Sequence, residues 1–333
     1  MANGIYTLAN DVVYDQLIAL LNSIEANVGS QTPVAVIAYD EKTERVREAL
    51  TRYPNVNLLD DPDFYAPWER FSYDAWATHQ NALQIWAEQG IQGVNRLGMN
   101  RRYAAFDNAA PFERFVYLDA DTLVLSPLDK VFEALQSHRL VVYDFQFKDI
   151  THIFNDKSPK LSQIFPAERT NREIFCAGFY AGQRGLFPPE DRAWLVEQLA
   201  SGESDVLYMS APNQSLLNYM VMRCQVPVHN LALTLPPEER TGNSVTSPHF
   251  EAREGSVLDQ GYPLTYMHYI GVSSKLFRRL CQGENMDIPY RDVFLHYRYL
   301  HAPDERPRLT GPKVQPQPSR PPLWKRALNK LKL

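Results

Sequence analysis

The segment FVYLDADTLVLSP, residues 115 to 127, sets two carboxylates one residue apart at the end of an apolar run. Phe115, Val116, Tyr117 and Leu118 read as a strand buried on both faces, because an unbroken apolar run of this length suits the middle of a parallel sheet. Asp119 and Asp121 then fall where the strand ends, and open α/β sheets bind ligands at the carboxyl ends of their strands. Two carboxylates this close repel each other unless a proton or a cation offsets the charge, and a divalent metal is the simplest such partner.

Upstream, GIYTLA (4 to 9) reads as a short strand, with Asn10 or Asp11 able to cap a helix in which Leu17, Leu20, Leu21, Ile24 and Val28 keep helical spacing. PVAVIAYD (33 to 40) is a second buried strand and VNLLD (56 to 60) a third, with the helix EKTERVREALTRY between them turning Val46, Ala49, Leu50 and Tyr53 inward. This alternation is βαβαβ, the opening of a Rossmann-like sheet. The aromatic-rich stretch 61 to 98 fits no single period and is expected to be helical in parts. Helices are expected over MNRRYAAFDNA and over SPLDKVFEAL, the latter started by Ser126 and Pro127. Further strands are expected over RLVVYDF (139 to 145), EIFCAGFYAG (173 to 182) and LTYMHYIG (264 to 271), and helices over PEDRAWLVEQLA and NQSLLNYMVMR. The second half, where alternation weakens, is expected to add an acceptor-side layer to the same sheet.

A chain of 333 residues with 44% hydrophobic and 22% charged content can bury a sizeable core. A net charge of -5 argues against a general nucleic-acid binder. Cys176, Cys224 and Cys281 show no zinc or disulfide spacing, so a reducing cytoplasmic setting is the default expectation. No run approaches a membrane span.

The D-x-D pair has three readings. It can be a solvated turn. It can open the site of a haloacid dehalogenase-type phosphatase, with Asp119 as nucleophile and Thr122 following; the nearest later acids, Asp144 and Asp149, come too soon for the crossovers that fold requires. Or it can hold Mn²⁺ or Mg²⁺ against the diphosphate of a nucleotide sugar, since hard carboxylate oxygens suit such a cation.

FVYLDADTLVLSPLDKVFEAL resembles the corresponding segment of the glycogenin and bacterial galactosyltransferase family, the retaining glycosyltransferase family 8. The resemblance implies a GT-A nucleotide-diphospho-sugar transferase fold, an α/β Rossmann-like mixed sheet flanked by helices, with a catalytic domain over 1 to 301. Its donor-binding half would be about 1 to 140 and its acceptor-side half about 141 to 301. YTLANDVVY resembles the family's opening strand, which implies nucleotide contacts from Thr7, Ala9, Asn10 and Tyr14. Arg102, seventeen residues before Asp119, matches a basic residue that would touch a donor phosphate or sugar hydroxyl; the competing reading is a surface helix arginine. FCAGFY resembles a strand ending in N-S-G, with Cys176, Ala177 and Gly178 in place, and NQSLLN resembles D-Q-x-x-L-N, with Asn213 replacing the aspartate and Gln214 retained. HYIGVSSK resembles H-x-x-G-x-x-K-P-W, which implies His268 as third metal ligand beside Asp119 and Asp121, and Gly271 and Lys275 at the phosphates. One extra residue separates Gly271 from Lys275, and Ser273 and Ser274 offer alternative hydrogen bonds. The Ala120 backbone between the two acids would join the donor site.

By this resemblance the chain would transfer a hexose, from a donor most simply UDP-linked, to a saccharide or lipid-linked acceptor with retention. Gln214 and Asp121 would sit at the reacting centre, with Asp205 a weaker candidate nucleophile. A non-catalytic nucleotide-sugar binder is the alternative outside enzymology. Beyond Ala302 the sequence APDERPRLTGPKVQPQPSRPP holds seven prolines and reads as an extended linker over 302 to 322. LWKRALNKLKL (323 to 333) then gathers Trp324 and leucines among basic residues, a pattern suited to peripheral contact with an anionic inner-membrane face.

Overall fold

The centre of the structure, a computed structural model that describes residues 2–315, is the strand expected over 115 to 118. β1 (Asn3–Ala9), β2 (Val34–Ala38), β3 (Val56–Leu59) and β4 (Arg114–Asp119) run parallel in the spatial order β3-β2-β1-β4. The chain therefore steps from β1 outward to β3 and returns to add β4 on the other side of β1. That reversal opens a crevice between the carboxyl ends of β1 and β4, where Leu8 pairs with Asp119. Beyond β4 the sheet is completed by β6 (Leu140–Val142), β7 (Phe179–Gln183) and β8 (Val228–Asn230), giving seven strands in the order β3-β2-β1-β4-β7-β6-β8. β7 is antiparallel to both neighbours, so the sheet is mixed.

Side-chain alternation along the strands sorts the two faces. Ile5, Val116 and Leu118 pack on Leu17, Leu20, Leu21 and Ile24 of the helix Tyr14–Asn27. Tyr6, Phe115 and Tyr117 meet an aromatic layer containing Trp68, Trp76, Trp86 and Phe106. The stretch 61 to 98 supplies much of that layer through the helices Pro62–Ala77 and Gln80–Glu88. The first starts where Asp61 accepts from the Asp63 amide and Pro62 needs no donor of its own.

Several boundaries differ from expectation for identifiable reasons. Residues 97 to 106 form a 3-10 run, Leu97–Phe106, rather than a helix from Met99. The helix after β4 begins at Asp129, not at Ser126, because residues 122 to 126 are drawn into strand pairing. β5 (Thr122–Val124) lies antiparallel to β12 (Tyr266–His268), and Ser126 Oγ donates to the Leu264 carbonyl at 2.7 Å. Of the strand expected over 173 to 182 only the second half forms. The amides of Phe175, Cys176 and Ala177 donate to Asn218 Oδ1, Asp144 Oδ2 and Gln214 Oε1 instead of to a ladder.

The C-terminal third adds a hairpin sheet of β9 (Glu251–Arg253), β10 (Ser256–Asp259) and β11 (Tyr262–Pro263), and a separate small core around Leu123, Met267, Tyr269, Phe277 and Phe294. The second half is thus more than one further layer on the main sheet. The linker expected from residue 302 is also corrected in part: β14 (Thr310–Val314) pairs with β13 (Glu284–Met286), and Lys313 forms an ion pair with Asp287 at 2.6 Å. Residues 323 to 333, the stretch read as a membrane-contacting tail, lie outside the described residues. Among the described residues no helix is long and apolar enough to cross a membrane.

Candidate metal centre and donor site

β4 delivers Asp119 at its last position, where the backbone amide donates to Gly178 O of the neighbouring strand region at 2.9 Å. The chain turns through Ala120 and Asp121 into β5, whose Thr122 pairs with His268. The Tyr269 amide donates to Asp121 O at 2.9 Å, which ties the far end of the turn to the residue after β12, and the His268 amide donates to Asn243 O at 2.8 Å. His268 Nε2 then lies 3.2 Å from Asp121 Oδ1 and 4.0 Å from Asp119 Oδ2. One ligand atom from each of the three residues falls within 4.8 Å of the others, the one such group of His, Cys, Asp or Glu among the described residues. Two carboxylate oxygens and an imidazole nitrogen suit a divalent cation such as Mn²⁺ or Mg²⁺.

Gly178 shapes the remaining wall. A Cβ added there would lie 2.7 Å from His268 Nδ1 and 3.2 Å from Asp119 Oδ2. The ring can therefore occupy its position only against a glycine. Gly178→Ala is expected to displace the half-buried ring at a cost of about 1–3 kcal/mol of stability and to weaken Mn²⁺ binding tenfold or more, measurable by titration of the Mn²⁺ paramagnetic resonance signal. Unchanged Mn²⁺ affinity would show that the ring is not a ligand.

The proton on His268 is held unusually tightly. Burial alone would disfavour the charged ring, but the Asp121 carboxylate beside it wins, and the His268 pKa rises well above its ordinary value. The Asp121 pKa is lowered in turn, with burial opposing and the His268 charge prevailing. In metal-free protein the raised His268 pKa gives a stabilisation that is complete below the ordinary histidine range and lost as pH rises through the raised value. A cation must displace that proton, so apparent Mn²⁺ affinity should fall about tenfold per pH unit below the raised pKa. In His268→Gln that slope should vanish.

No protein-family profile and no curated protein sequence matches the chain. Solved structures match in fold. The galactosyltransferase LgtC, determined in complex with donor and acceptor sugar analogs, aligns with a TM-score of 0.52 at 16% identity over 97% of this chain and 99% of that one. This chain has the GT-A fold. The bifunctional glycosyltransferase WbbM aligns at a TM-score of 0.47 and 14% identity, where 92% of this chain spans about half, 52%, of that protein.

On the GT-A framework the other expected donor residues fall into place unevenly. Thr7 and Ala9 are buried at the end of β1, and Thr7 Oγ1 has no partner. Asn10 follows them, but its side chain is engaged: Oδ1 caps the next turn through the Val12 amide at 3.1 Å, and Nδ2 donates to Asp40 at 2.9 Å. Gly271 carries φ of +82° on the loop that continues from β12, a backbone that glycine adopts without strain, and Lys275 is exposed in the first turn of the helix Ser274–Cys281.

Arg102 is neither on a surface helix nor free to reach a ligand. It is 1% exposed. Nε donates to Met99 O, Nη1 to Ala177 O, and Nη2 meets Asp119 Oδ1, each at 2.9 Å. The guanidinium lies beneath the first carboxylate and holds it. Gln214 is similarly committed: Oε1 accepts from the Ala177 amide at 3.1 Å and Nε2 donates to His152 O at 2.9 Å. Asn213, buried beside it, gives its carbonyl to the Tyr103 hydroxyl. Asp205 forms an ion pair with Lys160 at 2.9 Å and lies outside the ligand group.

A cavity of about 280 Å³ borders His268, lined by Asp144, His152, Cys176, Asn243 and Ser244 among others. Asp144 is buried, which raises its carboxyl pKa even though Oδ2 accepts from the Cys176 and Gln146 amides. Asn243 fixes the wall by donating to Tyr143 O and the Tyr266 hydroxyl. In the sequence Asp144 stands out only as an acid misplaced for a phosphatase. Its position at the end of a strand in the same sheet was the signal available. Asn243, in a loop without periodicity, offered none.

Proposed function

We propose that this protein is a metal-dependent glycosyltransferase that moves a hexose from a nucleotide-diphosphate sugar, UDP-linked by the resemblance of its motifs to family 8, to a saccharide or lipid-linked acceptor with retention. The observation that carries the reading is the convergence of Asp119, Asp121 and His268 at the crevice between β1 and β4, with their ligand atoms within 4.8 Å of one another. Mn²⁺ or Mg²⁺ held there would stabilise the negative charge that the departing diphosphate acquires. The ends of β1 and the loop through Gly271 to Lys275 would flank the nucleotide diphosphate, with Ser273 and Ser274 able to donate to phosphate oxygens. Gln214 would shape the floor of the sugar site by pinning residues 175 to 178 through Ala177 rather than attack the anomeric carbon, since both ends of its amide are bonded. The cavity beside His268 would take the acceptor, whose hydroxyl could bond the Asp144 carboxyl.

A phosphatase reading finds no support in this arrangement, where a histidine from a distant strand completes the carboxylate pair. A non-catalytic binder would keep the same site. Incubation with Mn²⁺ and a panel of nucleotide sugars tests the reading: a transferase releases free nucleotide slowly by donor hydrolysis and faster with acceptor. Nucleotide-induced stabilisation without any release would leave a binding protein, and stabilisation by UDP that survives EDTA would remove the metal from donor binding.

A further inference from the structure

Asp119 has two carboxylate oxygens with different surroundings. Oδ2 faces His268 at 4.0 Å and the Gly178 wall. Oδ1 accepts from the Tyr117 hydroxyl at 3.0 Å and meets Arg102 Nη2 at 2.9 Å. Tyr117 sits two residues earlier on β4 and so points to the same face of the sheet as the Asp119 side chain. Its ring is fully buried and cannot swing away: Tyr180 stacks on one side, with centroids 4.9 Å apart and planes within 15°, and the Arg102 guanidinium carbon lies 4.8 Å from the ring centroid. Phe106 stacks in turn on Tyr180 at 5.7 Å and 14°. The column Phe106, Tyr180, Tyr117 thus rises through the aromatic core to end at a metal-facing carboxylate.

We propose that Tyr117 is a positioning residue for the metal centre, its hydroxyl and Arg102 together fixing Asp119 Oδ1 so that Oδ2 alone is turned to the cation. The inference rests on the metal-centre reading above. A carboxylate with both oxygens free can rotate and sample chelating and monodentate arrangements, and holding one oxygen removes that freedom before the cation arrives. Partners of this kind behind a metal ligand are worth 10–100-fold in metal affinity when removed. Two donors on one oxygen have separate tasks: Arg102 supplies the countercharge for a carboxylate at the edge of the core, and the phenol sets the torsion through a directional bond from a ring that cannot move.

Tyr180 provides the control. Its hydroxyl is buried and unpartnered, so Tyr180→Phe removes a phenol from the same column without touching Asp119. Mn²⁺ is titrated into the unaltered full chain, Tyr117→Phe and Tyr180→Phe, alone and with UDP present, and followed by paramagnetic resonance, with urea unfolding of each in parallel. The expected result is a Kd for Mn²⁺ raised about 10–100-fold in Tyr117→Phe, an unchanged Kd in Tyr180→Phe, and native folding of both. Equal Kd values for Tyr117→Phe and the unaltered chain would overturn the positioning role and leave the metal centre standing. Equal weakening in Tyr180→Phe would overturn it too, by assigning the effect to the column's packing. Absence of Mn²⁺ binding by the unaltered chain would remove the metal centre and the inference with it.

Discussion

On the proposed transferase function, Asp121→Asn should lower sugar transfer by about a thousandfold while the protein stays folded. The substitution keeps the side chain's size and one acceptor oxygen but removes the charge that faces His268 at 3.2 Å. A bound cation contributes several kcal/mol to stabilising a departing diphosphate, and about 4 kcal/mol corresponds to three powers of ten in rate. The fold should tolerate the change because Asp121 lies on a turn whose backbone is tied through its carbonyl to the Tyr269 amide, a bond the side chain does not share. His268 should also lose its tight hold on the proton, because its raised pKa depends on Asp121 against the opposing effect of burial. The measurement is kcat for transfer at saturating Mn²⁺, accompanied by the Mn²⁺ Kd. Activity within tenfold of the unaltered chain would show that Asp121 is not a ligand.

How much of this site could be read in advance depended on whether its residues lay on periodic elements. Asp119 and Asp121 were legible because an apolar strand must end and its carboxyl end has a fixed meaning in an α/β sheet. His268 was legible only through its resemblance to a motif, since a three-residue strand, Tyr266–His268, carries too little pattern to be told from a loop. Tyr117 looked like one more apolar strand residue. Nothing in the spacing showed that its hydroxyl would bond the carboxylate two positions on. Arg102 had two readings, a donor contact or a surface helix arginine; the second is corrected because the 3-10 run Leu97–Phe106 buries residues that a surface α-helix would expose, and Arg102 meets Asp119 there. Residues 173 to 178 misled in the opposite way. Their composition favours a strand, but the side chains of Asn218, Asp144 and Gln214 take their amides, and a competition of that kind is settled by tertiary contacts.

Arg102→Met should destabilise the protein by about 1–3 kcal/mol, the usual consequence of leaving a buried acceptor without its donor. Methionine approximates the length of the aliphatic stem and can keep contact with the Tyr117 ring, so the loss is chiefly electrostatic. Three acceptors lose a donor: Met99 O, Ala177 O and Asp119 Oδ1. Of these, Asp119 is partly exposed and can be rehydrated, whereas the Ala177 carbonyl contact is buried, so the backbone of the segment before Gly178 should loosen. That loosening separates this variant from one that acts only on charge, because Gly178 forms the wall against His268. Arg102→Lys should recover part of the stability but not the geometry, since an ammonium group cannot direct separate N–H donors at three acceptors as the planar guanidinium does. Urea unfolding supplies the stability, and hydrogen exchange at the amides of Ala177 and Gly178 supplies the local readout. A loss below about 1 kcal/mol, the range of an exposed ion pair, would place Arg102 outside the support of the metal centre and leave Tyr117 alone on Asp119 Oδ1.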